Sequence, residues 1–314
     1  LRIGNSEWPK WETVMSADPV DPSALLIDAG TGDEREIARN RPLTRPRPGH
    51  ADLPGMLSYD LAEARPVLER ASARETAARV ALGVLAEALL DQVAGVGLVS
   101  HVVSVGGQRA TASVLPTPAD EAALCEASMR ALDPADNARF EAAVDAAKHA
   151  GDTIGGVAEV IAYGVPVGLG THVSARERLD ARLAAGLMSI QSVKGVEIGD
   201  GFAQAALLGS QAHDEIVHGP DGHLTRTSNH AGGIEGGTSN GSPIIARAAF
   251  KPISTVPRAL RSVDLATGEE AVGLHQRSDT CQVVPGAVIA EAEVALVLAD
   301  ALFEHAGGRS VKEM

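Results

Sequence analysis

Segments with helical periodicity alternate with apolar, strand-like runs along most of the 314-residue chain. Apolar side chains recur every three or four residues over 75–93 and again over 176–192, which is the spacing of one helical face. A strand-like run, 96–107, follows the first of these segments, and KGVEIGDGF, 194–202, follows the second. Because helix is followed by strand in both halves, the pattern predicts an α+β fold with a duplicated unit.

The remaining segments fit the same fold class. Residues 1–60 are rich in Pro, Asp and Gly, which predicts loops around short elements. The Ala-rich, acidic segment 116–150 predicts surface helices, and 155–170 predicts a strand with glycine breaks. A strand is expected over 243–250, and a last helix from about 290 to 305.

Charge and composition exclude several classes of function. A formal net charge of −14 argues against nucleic acid, and four Phe, two Trp and two Tyr are too few for a base-stacking surface. The sequence has no run of apolar residues long enough for a membrane span. Two distant cysteines in unlike contexts favour a reducing compartment, so we expect a cytoplasmic protein without partners among nucleic acids or membranes.

The stretch RPRPGHAD, 45–52, places a histidine among fixed positive charges in this acidic chain. Arg45 and Arg47 precede His50, and Arg41 lies just upstream. Neighbouring cations favour the neutral imidazole, whereas a bound anion would favour its protonated form. The stretch therefore predicts a site for an anionic ligand that needs a proton donor beside it.

A second candidate for anion binding is RASARETAAR, 70–79. Arg70 and Arg74 flank a predicted helix start, where backbone N–H groups attract phosphate. Ser72 and Glu75 have the spacing of a capping box, which also occurs at helix starts that simply face solvent. Both interpretations stay open from this stretch alone.

Three further stretches carry polar groups that suit a ligand or a purely structural role. KPISTVPRAL, 251–260, places an ammonium group and two hydroxyl groups just after a predicted strand. These groups could bind a phosphate, or they could form a polar turn. The glycines of GGIEGGTSNG, 232–241, could let the backbone approach a ligand closely, or they could form a mobile loop. In HQRSDTC, 275–281, Arg277 and Asp279 are two residues apart and would share one face of a strand. Asp279 could then act as a base beside Arg277, or the two could form a structural ion pair.

Histidines in the polar region 213–230 lack a comparable context. His213, His218, His223 and His230 match no tight zinc-binding spacing such as HExxH. We expect them at the surface and predict no metal site.

Six motifs occur together in one order: RPGHAD, RASARETAAR, KGVEIGDGF, GGIEGG, KPISTV and QRSD. With this order and spacing the chain resembles chorismate synthase, and IGNSEWPKWETVM and RPLTRPRPGHAD resemble the actinobacterial form. The resemblance covers nearly the whole chain, so we expect a single domain of this kind over 1–314. It implies a β-α-β sandwich built from two similar halves and a homotetramer.

The resemblance also implies a reaction. Chorismate synthase is a lyase that converts 5-enolpyruvylshikimate 3-phosphate to chorismate and phosphate, the last step of the shikimate pathway. This 1,4-elimination involves no net redox change, yet it requires reduced FMN, which is thought to lend an electron transiently. We expect the FMN to be reduced by an external NAD(P)H-dependent system.

Site residues are implied by the same motifs. His50 matches the catalytic histidine near the reduced flavin, and Asp279 matches the aspartate that helps to remove the substrate proton. Arg47, Arg74 and Arg277 match arginines that hold substrate anions or flavin. FMN contacts are expected at Arg70, Ala71, Ser72, Gln191, Ser192, Gly236, Lys251, Pro252, Ile253, Ser254, Thr255 and Arg277.

Family members begin with a segment that carries a GxSHG-type motif, whose histidine lies near the leaving phosphate. An arginine-rich stretch follows, which binds substrate and is assigned in some members to NADP. This sequence opens with LRIGNSEWPKWE, so we expect it to lack that N-terminal segment, and the tail after GGRSVKEM is short. Two hypotheses follow: an active chorismate synthase, or a truncated or inactive homologue that only binds FMN or an anion.

Overall fold

The computed structural model describes residues 2–5, 8–25, 40–111, 114–220, 222–273, 278–307 and 311. The chain separates into two units. The first comprises Leu1–Ala71 and Ala259–His275, and the second comprises Ser72–Arg258 and Gln276–Met314. The expectation of one domain over 1–314 stays a prediction.

The secondary structure of the described residues is as follows. The helices are α1 (Trp8–Trp11), α2 (Asp52–Tyr59), α3 (Arg65–Arg70), α4 (Thr76–Ala94), α5 (Glu121–Glu126), α6 (Pro134–His149), α7 (Leu179–Met188), α8 (Gly201–Gln204), α9 (Gly209–Ala212) and α10 (Val283–Ala306). The strands are β1 (Gly97–Val105), β2 (Gln108–Arg109), β3 (Gly156–Tyr163), β4 (Val193–Ile198), β5 (Ile216–His218), β6 (Leu224–Arg226), β7 (Ile234–Glu235), β8 (Thr238–Ser239), β9 (Ile244–Phe250), β10 (Arg261–Val263) and β11 (Glu270–Val272). Short 3-10 turns lie at Pro22–Leu25, Ala73–Glu75 and Pro118–Asp120.

The second unit is built on a five-stranded antiparallel sheet in the order β2-β1-β3-β9-β4. Helix α10 packs on α4, on α7 and on strands β1 and β3. Because side chains alternate along a strand, Ala158, Val160 and Ala162 enter the core that these helices share, whereas Ile161 joins a separate apolar cluster. Helices and an antiparallel sheet thus form the predicted α+β fold.

Helix boundaries follow local signals in the sequence. The predicted helix over 75–93 is confirmed as α4, which ends at Gly95 in the left-handed conformation with φ +67°. The last helix begins at Val283, earlier than the predicted start near 290. Pro285 lies in the first helical turn, where a proline is tolerated because its missing N–H would have no intrahelical partner.

A row of charged side chains crosses the central strands of the second unit. Glu159 on β3 is buried, and its carboxylate accepts hydrogen bonds from His101 Nε2 at 2.8 Å and Arg247 Nε at 2.5 Å. Burial opposes ionisation, but these two partners hold the pKa of Glu159 below its usual range. The row therefore lets a charge lie inside the sheet.

The first unit has a small core of its own. Leu43, Met56 and Ala64 are buried together in the loop and helices that precede Ala71. Leu265 N donates to Thr44 O at 3.0 Å, which ties the β10–β11 hairpin to this loop. Within the described residues, no helix combines the length and apolarity needed to span a bilayer.

Candidate active site

His50 lies in the first unit, in the turn that leads into α2. Its Nδ1 is 2.5 Å from Oδ1 of Asp52, the first residue of that helix. Arg47 donates to Asp52 Oδ2 through Nε at 2.8 Å and through its backbone N at 3.0 Å. Its Nη2 lies 3.1 Å from both Asp52 Oδ1 and His50 Nδ1. The three side chains therefore hold one another in a fixed arrangement.

The surroundings of His50 differ from the expectation of a histidine among cations alone. Asp52 is fully buried, and although burial opposes its ionisation, hydrogen bonds from His50 and Arg47 hold its pKa well below the usual range. The carboxylate faces His50 and compensates the charge of Arg47. Arg41 and Arg45 are exposed. The HAD spacing in the sequence was the available signal for this carboxylate partner.

In the second unit, five predicted or neighbouring site residues meet at one end of the sheet. We call Glu75, Gln191, Ser192, Lys251 and Ser254 the sheet-end cluster. Gln191 Nε2 donates to Glu75 Oε1 at 2.6 Å. Lys251 N donates to Ser192 O at 2.9 Å, and Lys251 Nζ donates to Ser254 Oγ at 3.2 Å. The start of β4 and the end of β9 bring these segments together.

Ser192 has an unusual backbone conformation. Its φ is +72°, in the left-handed region that side chains other than glycine rarely adopt. The β4–β9 register also shifts between Val193 and Gly195. A strained residue beside an irregular strand start is typical of segments that position a ligand, and the neighbouring structure must hold it in place.

Lys251 supplies positive charge to the sheet-end cluster. Burial lowers the pKa of its ammonium group, and the nearby charge of Lys194 lowers it further. Thr255 is buried, Ile253 and Ser254 are partly buried, and Pro252 is exposed. The backbone of this segment is packed closely, because Ile253 O accepts from Thr153 Oγ1 at 2.8 Å.

Tight packing also explains why a glycine precedes β3. A Cβ on Gly155 would lie 2.3 Å from Phe250 O and 3.0 Å from Pro252 N. Only glycine lets the two backbones approach this closely. The position of the 251–255 segment therefore depends on Gly155.

The predicted residues around 70–74 are at or beside a helix end. Arg70, the last residue of α3, is exposed, and Ala71 is partly buried. Ser72 Oγ accepts from Arg74 N at 3.4 Å and begins the 3-10 turn that precedes α4, and the Arg74 side chain is exposed. Glu75, the second member of the predicted capping box, instead bonds Arg79 and Gln191.

Asp279 is exposed, and its chain neighbour Thr280 lies at the same sheet end, where Thr280 O accepts from Ile154 N at 2.9 Å. Gln282 follows and is the residue immediately before α10, without a side-chain hydrogen bond to the helix start. Arg277, predicted to bind both substrate and flavin, lies outside the described residues.

Gly236 is not brought to the sheet-end cluster. It lies in the turn between β7 and β8 with φ +60°, and the next carbonyl, Gly237 O, accepts from Leu179 N at 2.9 Å. Leu179 is the first residue of α7, and Gln191 lies just after the last. A helix of 10 residues is about 15 Å long, so the two ends of α7 separate the glycine turn from Gln191 by about this distance. The glycine turn therefore belongs to the opposite end of the sheet.

One of the four histidines in the region 213–230 makes a specific polar contact. His213, His218 and His223 are exposed, as expected, but His230 is partly buried and its Nδ1 lies 2.6 Å from Asp200 Oδ2. The hydrogen bond that the imidazole donates to the Asp200 carboxylate raises the pKa of His230. Sequence spacing gave no signal for this contact, because 30 residues separate the partners.

Buried polar atoms without a partner show where a ligand could bind. Among the described residues these atoms are Gln191 Oε1, Thr238 Oγ1, Asn240 Nδ2 and Gln282 Nε2. Gln191 and Gln282 belong to the segments that meet at the sheet end, and together they offer one acceptor and one donor. With the Lys251 ammonium, this donor set fits a polar ring and an anionic group. No group of three or more His, Cys, Asp or Glu side chains in the described part could hold a metal ion.

Comparisons with known proteins show which family the chain belongs to. The family model "Chorismate synthase" matches residues 1–303. A chorismate synthase of Beutenbergia cavernae is 60% identical over 314 residues, which are 100% of this chain and 77% of that protein. A chorismate synthase of Nocardia farcinica is 59% identical over 313 residues, covering 100% of this chain and 75% of the relative.

A solved structure gives the same result for the fold. A crystal structure of chorismate synthase, 38% identical, superposes with a TM-score of 0.70 and covers 84% of this chain and 72% of the other. Similarity at this level extends through both sequence and structure. The chain belongs to the chorismate synthase family.

Proposed function

We propose that this chain catalyses the reaction of its family, the 1,4-elimination of phosphate from 5-enolpyruvylshikimate 3-phosphate to give chorismate, with reduced FMN as cofactor. The observation that carries the proposal is the sheet-end cluster, in which family-matched residues of two separate segments, 191–192 and 251–254, lie together with Glu75. In the reaction a C–O bond to phosphate and a C–H bond break, and a conjugated double-bond system forms. No net oxidation or reduction occurs, and the reaction is the last step of the shikimate pathway.

FMN would be held by Ser72, Gln191, Ser192 and the segment 251–255. Lys251 would neutralise an anionic group, because its charged side chain donates to a neutral hydroxyl at 3.2 Å. Gln191 Oε1 would accept a hydrogen bond, since it is buried without a partner in the described residues. When bound, reduced FMN supplies an electron-rich ring that assists departure of the phosphate. Arg70, Ala71 and Arg277 complete the proposed set from the family resemblance, whereas Gly236, which lies away from the sheet-end cluster, stays a prediction of the resemblance alone.

His50 and Asp279 are the proposed catalytic residues. His50 would hold or donate a proton, because its Nδ1 is fixed by Asp52 at 2.5 Å and its side chain is 21% exposed. Asp279 is exposed and would accept the substrate proton. Arg74 and Arg277 would bind substrate anions. Arg47 is proposed from the family for the same role, and its bonds to Asp52 add a role in orienting His50.

The proposal extends to partners and location. FMN would be reduced by an external NAD(P)H-dependent system, since no intrinsic reductase is expected. The family favours a homotetramer in the cytoplasm. Analytical ultracentrifugation of the purified chain would test the assembly.

Phosphate release tests the function directly. The chain would be incubated anaerobically with substrate and chemically reduced FMN, and phosphate and chorismate would be measured over time. Lys251→Ala should weaken FMN binding about 10- to 100-fold, as expected for the loss of one charge-assisted hydrogen bond. Lys148→Ala, at an exposed lysine near the end of α6, is the matched control.

Three outcomes separate the hypotheses. Equal amounts of chorismate and phosphate support the proposed lyase. FMN binding without product identifies a homologue that only binds the cofactor. Neither binding nor product rejects both hypotheses.

A further inference from the structure

The Gln191 side-chain amide has only one orientation that satisfies its neighbour. Its Nε2 lies 2.6 Å from Glu75 Oε1, and a carboxylate accepts but cannot donate. The amide nitrogen must therefore face Glu75, and the amide oxygen must face away. That oxygen, Gln191 Oε1, is buried and has no partner among the described residues.

Glu75 is itself held by a cation. Arg79 Nη2 lies 2.9 Å from Glu75 Oε1, and Arg79 Nε donates to Glu75 Oε2 at 3.1 Å. Both carboxylate oxygens therefore have a charged partner one helical turn away on α4. A carboxylate that accepts from Arg79 also presents an acceptor oxygen to the Gln191 amide.

Arg79 connects this pair to the rest of the second unit. Its Nη1 donates to Ser189 Oγ at 2.6 Å and to Glu293 Oε2 at 3.2 Å. Ser189 lies in the same turn as Gln191, and Glu293 lies on α10. Gly186 leaves room for Glu293, because a Cβ there would lie 3.0 Å from Glu293 Oε1. The network fixes Glu75 from three elements.

We propose that Glu75 is a positioning residue, held by Arg79, that orients the Gln191 amide so that Oε1 accepts a hydrogen bond from bound FMN. This inference rests on the proposed function, which has FMN at the sheet-end cluster. FMN carries suitable donors in its ring N–H group and its ribityl hydroxyls. An unpartnered buried oxygen is costly, and a donor from the ligand removes that cost.

The test exchanges the donor and the acceptor between the two positions. Gln191→Glu places two carboxylates against each other and should weaken binding of oxidised FMN at least 10-fold. The double variant Glu75→Gln with Gln191→Glu restores one amide facing one carboxylate and leaves an oxygen toward the ligand. Its affinity should return to within about threefold of the wild type. Glu141→Gln, at an exposed position on α6, should leave FMN affinity unchanged.

FMN affinity is measured by flavin fluorescence titration, and thermal unfolding of each variant without FMN shows that it folds. Glu75→Gln is the second single variant, because it keeps the size of the side chain and frees the amide of Gln191 to turn. It should weaken FMN binding severalfold and change the visible absorption of the bound flavin.

Wild-type protein that fails to bind FMN would reject the proposed cofactor. Wild-type protein that binds FMN, with an exchange variant that does not recover affinity, would reject the positioning role alone. Glu75→Gln with wild-type affinity and an unchanged flavin spectrum would also reject it.

Discussion

Glu87 on α4 provides a sharp test of the electrostatics of the second unit. Its partly buried carboxyl faces Glu291 on α10 and Glu121 on α5. Arg130 is already engaged with both of these, at 2.8 Å to Glu121 and 3.2 Å to Glu291. Burial raises the pKa of Glu87 to about 7, repulsion from Glu291 and Glu121 adds to the rise, and Arg130 opposes it. The folded state therefore favours a protonated Glu87.

The size and sign of the effect follow from linkage. A pKa of about 7 against the usual 4.5 corresponds to at most about 3 kcal/mol. Because Glu87 is partly exposed and screened by solvent, we expect about 1–2 kcal/mol. The folded state binds the proton more tightly, so this stability is complete below pH ~4.5 and is lost as pH rises through about 7. Glu87→Gln should raise the free energy of unfolding by about 1–2 kcal/mol at pH 8 and hardly change it at pH 5.

Denaturant unfolding at the two pH values measures this difference. Circular dichroism at 222 nm is the suitable signal, since both tryptophans, Trp8 and Trp11, lie in the first unit. Glu141→Gln removes an exposed carboxylate and is the control. Equal effects of Glu87→Gln at pH 5 and pH 8, or destabilisation at pH 8, would refute the reasoning.

Other substitutions test the two candidate clusters. Asp52→Ala removes the buried acceptor of Arg47 and should lower the free energy of unfolding by about 3–5 kcal/mol at pH 7, measured by tryptophan fluorescence. Because the pKa of Asp52 is lowered in the folded state, this loss should shrink as pH falls below about 4, and a loss that does not change with pH would contradict the argument. Gly155→Ala should lower the free energy of unfolding by about 1–3 kcal/mol and weaken FMN binding. Gly195→Ala is the control and should do neither, because the atom nearest to an added Cβ there lies 3.6 Å away. Equal shifts in the unfolding temperature of the two variants would contradict the packing argument. Ser192→Gly should stabilise the fold by about 0.5–1 kcal/mol by calorimetry, because it relieves the positive φ, and a loss would contradict strain there.

Secondary structure was predictable where one local signal dominated. The helix over 76–94 carries its apolar spacing and its terminal glycine in contiguous sequence, so periodicity was sufficient to find it. The helix α10 begins at Val283, before the predicted start near 290, and its first turn contains Pro285, which a first turn accepts. The division into two units was not predictable from local signals, since the first unit joins residues 1–71 to 259–275.

The site was predictable as a set of residues but not as an arrangement. Motif order identified Gln191, Ser192 and Lys251, yet nothing local shows that Lys251 N bonds Ser192 O. Glu75 was taken as a helix cap because Ser72 precedes it at capping-box spacing, and its partner Gln191 lies 116 residues away. Tertiary contacts of this length leave no periodic signal in one sequence.

Arginine and lysine make different contacts in the two candidate clusters, for a physical reason. Arg47 and Arg79 each make several directed contacts with carboxylates, which suits a rigid, planar guanidinium. Lys251 donates to a hydroxyl instead, and burial and Lys194 lower its pKa. An anion bound beside Lys251 would offset both effects, since it favours the charged ammonium. Within each cluster the arginine therefore holds a carboxylate in place, and in the second unit Lys251 would supply the charge that the proposed anionic ligand needs.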